Sequence, residues 1–266
     1  MKLTSAHYRP GTVFLVGSGP GALDLLTLRA ARLIGAADVI IYDHLIADAA
    51  LDLAHTDAEL ICAGKKASNH TLPQGEINEL LVELARQGKM VVRLKGGDPF
   101  IFGRGGEEIE TLRACGVDFE VVPGVTAAAG CAAYAGIPLT HREHAQTVVF
   151  ATGHLKDGSV NLDWPALARP TQTVVFYMGV GGSSEICRQL IAHGLPPTHP
   201  AAVVENGTRE NQRIIAADLA SLPRRIAEEQ IASPALLIVG TVVRLHATLA
   251  WFGKHLQTEQ TEQTEN

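Results

Sequence analysis

Between residues 94 and 108 the chain reads Leu-Lys-Gly-Gly-Asp-Pro-Phe-Ile-Phe-Gly-Arg-Gly-Gly-Glu-Glu. Five glycines in this stretch surround a carboxylate (Asp98), a guanidinium (Arg104) and a second acid (Glu107). Glycine loses more backbone entropy on folding than any other residue, so such density at a strand-to-helix junction implies a backbone that something must approach closely. The chemistry on offer is binding. Asp98 can accept hydrogen bonds from amino or hydroxyl groups, or it can cap the turn before Pro99. Arg104 matches carboxylates with a fork that stays protonated. It also lies three residues before Glu107 at a helix start, the spacing of an ordinary exposed ion pair.

A second glycine loop, Gly17-Ser-Gly-Pro-Gly-Ala22, follows an apolar strand and leads into a helical pattern. It fits a loose G-x-G-x-x-A dinucleotide fingerprint, which Asp43 at the end of the next strand would complete by binding a ribose hydroxyl. Against that reading, Pro20 removes a backbone donor where a pyrophosphate needs one, and the loop at 96–106 is left without a role. A tight turn packed against a neighbour is the plain alternative.

Other chemistry finds less support. His141 and His144 have an H-x-x-H spacing but no evident third ligand, so no metal is expected. Glu185 and Arg188 fit a solvated helical pair. Cys62, Cys115, Cys131 and Cys187 are scattered without a C-x-x-C pair, as small hydrophobes in a reducing cytoplasm would be. A net charge of −6 argues against nucleic acid as a partner, though not against an anionic small molecule. Residues 1–11 carry no signal-peptide pattern, and no apolar run is long enough to span a bilayer.

The elements that must position these residues alternate. Strand patterns at Thr12–Val16, Asp38–Tyr42, Glu59–Cys62, Lys89–Leu94 and Phe119–Val122 are interleaved with helical patterns at Leu23–Ile34, Ala47–Ala54, Gln74–Arg86 and Glu107–Cys115. This implies crossover units on a largely parallel sheet. A small-residue helix, Thr126–Ala135, leads to Pro138. Strand signals then resume at Thr147–Ala151, Thr173–Met178, Ala201–Val204, Arg213–Ala216 and Leu236–Val239, with helices at Glu185–His193 and Leu219–Glu229. The 266 residues and 46 % hydrophobic content suit two α/β domains, expected at 11–140 and 141–256. Residues 1–10 read as an extension, and the polar repeat at 257–266 as a disordered tail.

Four segments in order resemble the tetrapyrrole methyltransferases, and the uroporphyrinogen-III C-methyltransferase branch in particular. They are Val16–Gly21 with Leu25-Leu-Thr27 and Asp38–Asp43; Gly96–Glu108; Val122-Pro-Gly-Val-Thr-Ala-Ala-Ala129; and Ala133–Arg142. The resemblance runs from about Gly11 to Leu249; Ala22 departs from it, where many relatives carry an acid.

The resemblance implies two α/β domains with largely parallel or mixed sheets, an active site in the inter-domain cleft, and a homodimer. It implies two methyl transfers from S-adenosylmethionine to uroporphyrinogen III, giving S-adenosylhomocysteine and precorrin-2, the branch point toward sirohaem, corrinoids and haem d1. No dehydrogenase or chelatase segment is visible, so a stand-alone enzyme is expected. By the same resemblance Pro20, Gly96, Gly97, Asp98, Ile101, Thr126, Ala127, Met178 and Gly207 line the donor pocket. Met178 also ends an apolar strand and could serve as a core side chain. Arg104, Glu107 and Arg142 face the carboxylate-rich acceptor. Asp43 accepts a proton and Lys65 donates one, with Lys66 an equally suitable neighbour; Arg104 is placed among the catalytic groups for positioning, being a poor base. Three other readings stand beside this one: a later corrin-ring methyltransferase, a nicotinamide oxidoreductase, and a nucleotide-sensing or tetrapyrrole-carrying module.

Overall fold

The structure, a computed structural model, describes residues 8–64, 72–153 and 161–253. The chain divides into two compact units between Ala127 and Ala128. In the first, five strands form one sheet: β1 (Val13–Gly17), β2 (Val39–Tyr42), β3 (Glu59–Cys62), β4 (Val91–Lys95) and β5 (Phe119–Val122). Their order is β3-β2-β4-β1-β5 and every pairing is parallel. Four helices connect them: α1 (Leu28–Ile34), α2 (Asp48–Leu51), α3 (Gln74–Arg86) and α4 (Gly105–Ala114).

The strand order dictates the layering. Connections through α1 and α2 run one way along the sheet and those through α3 and α4 the other, and right-handed crossovers then put the two helix pairs on opposite faces. Side-chain alternation along the strands agrees. Phe14, Val16, Ile40, Val92 and Leu94 pack with Ala30, Leu33 and Ile34 of α1 and Ala50 of α2. Val13, Leu15, Val39, Ile41 and Val91 pack with Ile77 and Leu81 of α3 and Leu112 of α4.

The second unit holds α5 (Ala127–Tyr134, its first residue at the division), β6 (Thr147–Thr152), α6 (Trp164–Leu167), β7 (Gln172–Tyr177) and α7 (Ser183–Ala192). It continues with β8 (Pro200–Glu205), β9 (Arg213–Asp218), α8 (Leu222–Glu228), β10 (Ala235–Val239), a 3-10 turn over Thr241–Leu245 and α9 (His246–Leu249). The sheet order is β6-β7-β10-β8-β9, parallel only between β6 and β7. Phe176, Val203 and Leu237 of the sheet share a core with Ile186 and Leu190 of α7 and Leu222 and Ile226 of α8.

Three departures from the sequence reading have identifiable physical causes. The pattern at Leu23–Ile34 is not one helix: Leu23–Leu25 is a 3-10 turn, Leu26 is extended, and α1 starts at Leu28, where the Thr27 side chain accepts the Ala30 N–H at 3.1 Å. The division falls earlier than the expected 140/141 because α5 is tied to the second unit along its length. Ala128 N–H donates to the Tyr177 hydroxyl, Trp251 Nε1 donates to the Ala133 carbonyl, and the Tyr134 ring packs on Trp251 and Phe252. The short helices α6 and α9 were not anticipated, each being a single turn without room for a periodic pattern. The expected extension at 1–10 lies largely, and the tail at 257–266 wholly, outside the described residues.

All four cysteines are free thiols. Burial pushes the Cys131 and Cys187 thiols up to about 12 from an ordinary 9.0. A thiol reagent at pH 8 should therefore label exposed Cys115 first, and Cys131 and Cys187 only on unfolding. Between pH 9 and about 12 the folded state holds protons on these two groups that the unfolded state has lost. Their contribution to stability is thus complete below pH 9 and declines above it, which a denaturant midpoint series across that range would read.

Candidate active site

At the carboxyl ends of β1, β4 and β5 three loops meet backbone to backbone. The β1–β4 ladder continues past the strands: Ser18 N–H donates to Lys95 O at 2.8 Å, Gly19 N–H to Gly97 O at 3.1 Å, and Gly97 N–H to Gly19 O at 2.7 Å. A Cβ on Gly17 would stand 2.5 Å from Gly97 O and 2.6 Å from Gly124 N. A Cβ on Gly124 would meet Gly97 O and lie 2.9 Å from the Gly17 backbone. Gly97 itself has φ +67°, a left-handed conformation that suits glycine. These glycines are needed by one another first.

Asp98 locks the turn. Its Oδ1 accepts the Phe100 N–H at 2.9 Å and its Oδ2 accepts the Gly124 N–H at 3.0 Å, so it joins the β4 and β5 loops. The capping role weighed for it is realised, and each oxygen keeps a further lone pair for a ligand. Gly96 lies beside Leu45, whose Cβ would be 2.9 Å from a Cβ at that position. Thr126 and Ala127 back Gly97, with Ala127 N 3.5 Å from a Cβ there. Pro20 and Ile101 are half-buried in the same loops. Leu45, Phe100 and Phe102 leave 54 %, 54 % and 40 % of their surfaces exposed, an apolar lining unusual for loops.

Arg104 is the N-cap of α4 and holds φ +56°; Phe102 holds φ +53°. Non-glycine residues there cost of order 1 kcal/mol each and persist where the surroundings fix them, commonly at functional sites. The Arg104 fork grips Glu107 through Nε–Oε1 at 2.8 Å and Nη2–Oε2 at 2.7 Å, with both side chains more than half exposed. The hydrogen bond to Glu107 chiefly raises the guanidinium further above its already high value.

Asp43 stands just past β2, in the crevice between β2 and β4 where the crossover direction reverses, the place where open α/β sheets bind ligands. Its Oδ1 accepts the Leu45 N–H at 3.2 Å and its Oδ2 faces Arg93 Nη2 at 3.6 Å. Arg93 and Lys95 point from β4 into the face shared with α3 and α4, where Glu108 receives both, Arg93 Nε at 3.1 Å and Lys95 Nζ at 2.8 Å. Burial, with Arg93 nearby, lowers the Lys95 ammonium below its ordinary value, and Glu108 opposes that shift. Sequence reasoning missed this trio. The available signal was two cations, two residues apart, in an otherwise apolar central strand, Met90-Val-Val-Arg-Leu-Lys95.

In the second unit, β7 and β8 both run antiparallel to β10, so their carboxyl ends emerge on one side, about 10 Å apart at two strand spacings. Met178 follows β7 with φ +54° and is exposed, so it is not a core side chain. Gly207 follows β8 between Asn206 and Thr208, both at positive φ, and a Cβ there would collide with Cys131 Sγ of α5. Arg142 lies exposed on the turn closed by the His141–Ala145 bridge. His141 and His144 pack ring to ring at 5.0 Å, and His141 Nδ1 accepts the Glu143 N–H. No three potential metal ligands gather among the described residues. Glu185 and Arg188 pair on α7, Nη2–Oε1 2.6 Å. Lys65 and Lys66 lie outside the described residues.

The first glycine loop does not present a dinucleotide site. The Ser18 and Gly19 N–H groups are spent on Lys95 and Gly97, Pro20 has none, and the first α-helix begins only at Leu28.

Comparison with known proteins gives a consistent picture. Residues 12–223 match the family described as Tetrapyrrole (Corrin/Porphyrin) Methylases. Siroheme synthase of Thioalkalivibrio sulfidiphilus is 62 % identical over 242 residues, 91 % of this chain and 50 % of that protein. The chain thus spans about half the length of the curated relatives it matches. The crystal structure of uroporphyrin-III C-methyl transferase from Thermus thermophilus complexed with S-adenyl homocysteine superimposes with a TM-score of 0.76 at 40 % identity, covering 88 % of this chain and 94 % of that one. Cobalt precorrin-4 methyltransferase gives a TM-score of 0.79 at 26 % identity, over 88 % of this chain and 96 % of that one.

The loop contacts make a sharp contrast between two glycines. Gly124→Ala should cost about 1–3 kcal/mol, since backbone has to move. Gly106→Ala, with nothing within 4 Å of the new Cβ, should be neutral or stabilise α4 by about 0.5–1 kcal/mol. Equilibrium denaturation of the two variants checks both.

Proposed function

The chain belongs to the tetrapyrrole (corrin/porphyrin) methylase family and is an S-adenosylmethionine-dependent methyltransferase; on that premise we propose that its methyl acceptor is uroporphyrinogen III. Two successive transfers to ring carbons then yield precorrin-2, feeding sirohaem synthesis and, by the same product, corrinoids and haem d1. The observation that carries this reading is the 96–108 loop, which sets an exposed, left-handed Arg104 beside exposed Phe100 and Phe102. A macrocycle of four pyrrole rings bearing eight carboxylates calls for both kinds of group. The identity to the Thermus thermophilus enzyme supports the same acceptor.

When bound, the donor supplies a sulfonium whose methyl passes to an electron-rich ring carbon, with the C–S bond breaking as the C–C bond forms. The protein's task is alignment. Pro20, Gly96, Gly97, Asp98, Ile101, Thr126 and Ala127 are the proposed donor contacts; the missing side chains at 96–97 let Leu45, Thr126 and Ala127 close in on that backbone. Arg104 gives up part of its grip on Glu107 to take an acceptor carboxylate, an exchange that an exposed pair makes at little cost. Asp43, 29 % exposed at the rim, takes the proton that the methylated ring must lose, one for each methyl gained. Four unpaired thiols support a cytoplasmic enzyme, and the family resemblance a homodimer. A corrin-ring acceptor later in the pathway is the second reading, favoured by the TM-score of 0.79 to cobalt precorrin-4 methyltransferase.

Anaerobic incubation with S-adenosylmethionine and uroporphyrinogen III should add two methyl groups, read by product mass. Donor binding without methyl gain, followed by turnover of a cobalt-precorrin, would replace the first acceptor with the second. Asp43→Asn should lower kcat at least about 100-fold with S-adenosylhomocysteine affinity unchanged. Arg104→Lys, which keeps charge but loses the fork, should raise the acceptor KM about tenfold.

A further inference from the structure

Glu108 has no exposed surface, and three donors converge on its Oε1: Arg93 Nε at 3.1 Å, Lys95 Nζ at 2.8 Å and Gln74 Nε2 at 3.1 Å. Its Oε2 has no hydrogen-bond partner. Stability does not explain the arrangement, because well-packed apolar side chains commonly do as well as a buried ion pair or better. Next to it the face is apolar, from Val13, Leu15, Val39, Ile41 and Val91 on the strands to Ile77, Leu81 and Leu112 on the helices. Among the described residues of this unit the buried charges are Arg93, Lys95 and Glu108, gathered toward the carboxyl end of β4 beneath the loops.

The position in the chain supplies a reason. Lys95 is the last residue of β4 and the one before Gly96. Glu108 is the fourth residue of α4, whose N-cap is Arg104. The Lys95–Glu108 pair therefore joins the two ends of the 96–104 loop. Inside that loop Gly96, Gly97 and Gly103 have no side chains to anchor, and Phe102 and Arg104 sit at φ +53° and +56°. Asp98 and the Gly19–Gly97 bonds pin the middle of this loop, and fixing its two ends narrows the shapes left to the free and strained backbone between. The same oxygen also holds Arg93, whose Nη1 donates to Ile41 O at 3.3 Å and to Leu94 O at 3.2 Å while Nη2 faces Asp43 at 3.6 Å.

We propose that Glu108 is a positioning residue, a buried clamp that closes the mouth of the 96–104 loop through Lys95 and steadies Asp43 through Arg93. The clamp rests on the reading of Gly96–Gly97 as a donor contact, and it acts without touching the donor.

The test titrates S-adenosylhomocysteine by calorimetry into wild type, Glu108→Gln, Glu108→Asp and the pair Lys95→Met with Glu108→Gln, each well below its melting midpoint. Glu110→Gln, an exposed acid on the same helix, is the control. Glu108→Gln alone strands two buried cations and can cost the fold; the paired variant removes one cation with the anion and keeps an acceptor for Arg93. The expected result is a Kd raised at least tenfold in Glu108→Gln and in the pair, at least half of that loss recovered on a logarithmic scale in Glu108→Asp, and Glu110→Gln within twofold of wild type. A pair that melts like wild type and binds within threefold of it overturns the clamp. So does Glu108→Asp binding no better than Glu108→Gln. Uroporphyrinogen III turnover by the wild type is run alongside. Binding without turnover there sinks the acceptor reading alone, and the binding series still decides the clamp.

Discussion

The first unit depends on one close approach. The carbonyl of Gly97 occupies the space that a side chain at Gly17 or Gly124 would need. Because three glycines give way at one point, the loops after β1 and β4 bond to each other as a continuation of the sheet, and the loop after β5 lies against them. Asp98 then fastens the β4 loop to the β5 loop with a carboxylate oxygen for each of two backbone donors. The candidate binding surface is thus built from strand ends rather than from a free loop, and it inherits the rigidity of the sheet.

How far the sequence spoke depended on the range of the interaction involved. Alternation of apolar runs with helical patterns was legible, since the side chains of Ile77, Leu81 and Leu84 on α3 repeat at the period of the helix they form. The glycine loops were legible too, because a need for bare backbone leaves its mark in residue type. The break before α1 was also written there, as Thr27 three residues before the Ala30 N–H it caps, but a continuous apolar pattern from Leu23 overrode it. The assignment of α5 was not legible. Its small residues suit either unit, and what decides is contact with Tyr177, Trp251 and Phe252, distant in sequence.

The candidate site residues divide along the same line. Asp43 and Asp98 could be found because each follows a strand, where a carboxylate has a local reason to be. The mutual grip of Arg104 and Glu107 followed from their spacing. Glu108 looked like the second of two equivalent acids at a helix start. Only the fold turns one outward to Arg104 and the other inward to Lys95 and Arg93.

The strand order carries one more consequence, for how the chain leaves the ribosome. Among the described strands of its unit β1 is made first, yet its neighbours in the sheet are β4 and β5, the last two made there. β2 and β3 can pair as soon as both exist, whereas the apolar Val13–Gly17 segment has no strand to lie against until residue 95 has emerged, and no second one until residue 122. Non-local parallel pairing of this kind is slow and leaves hydrophobic edges waiting. In the second unit β8 and β9 are adjacent in both sequence and sheet and close at once. Synthesis therefore runs from the slower-closing unit to one whose hairpin closes quickly, and an early pause before residue 95 would leave a strand that ends fully buried without any partner.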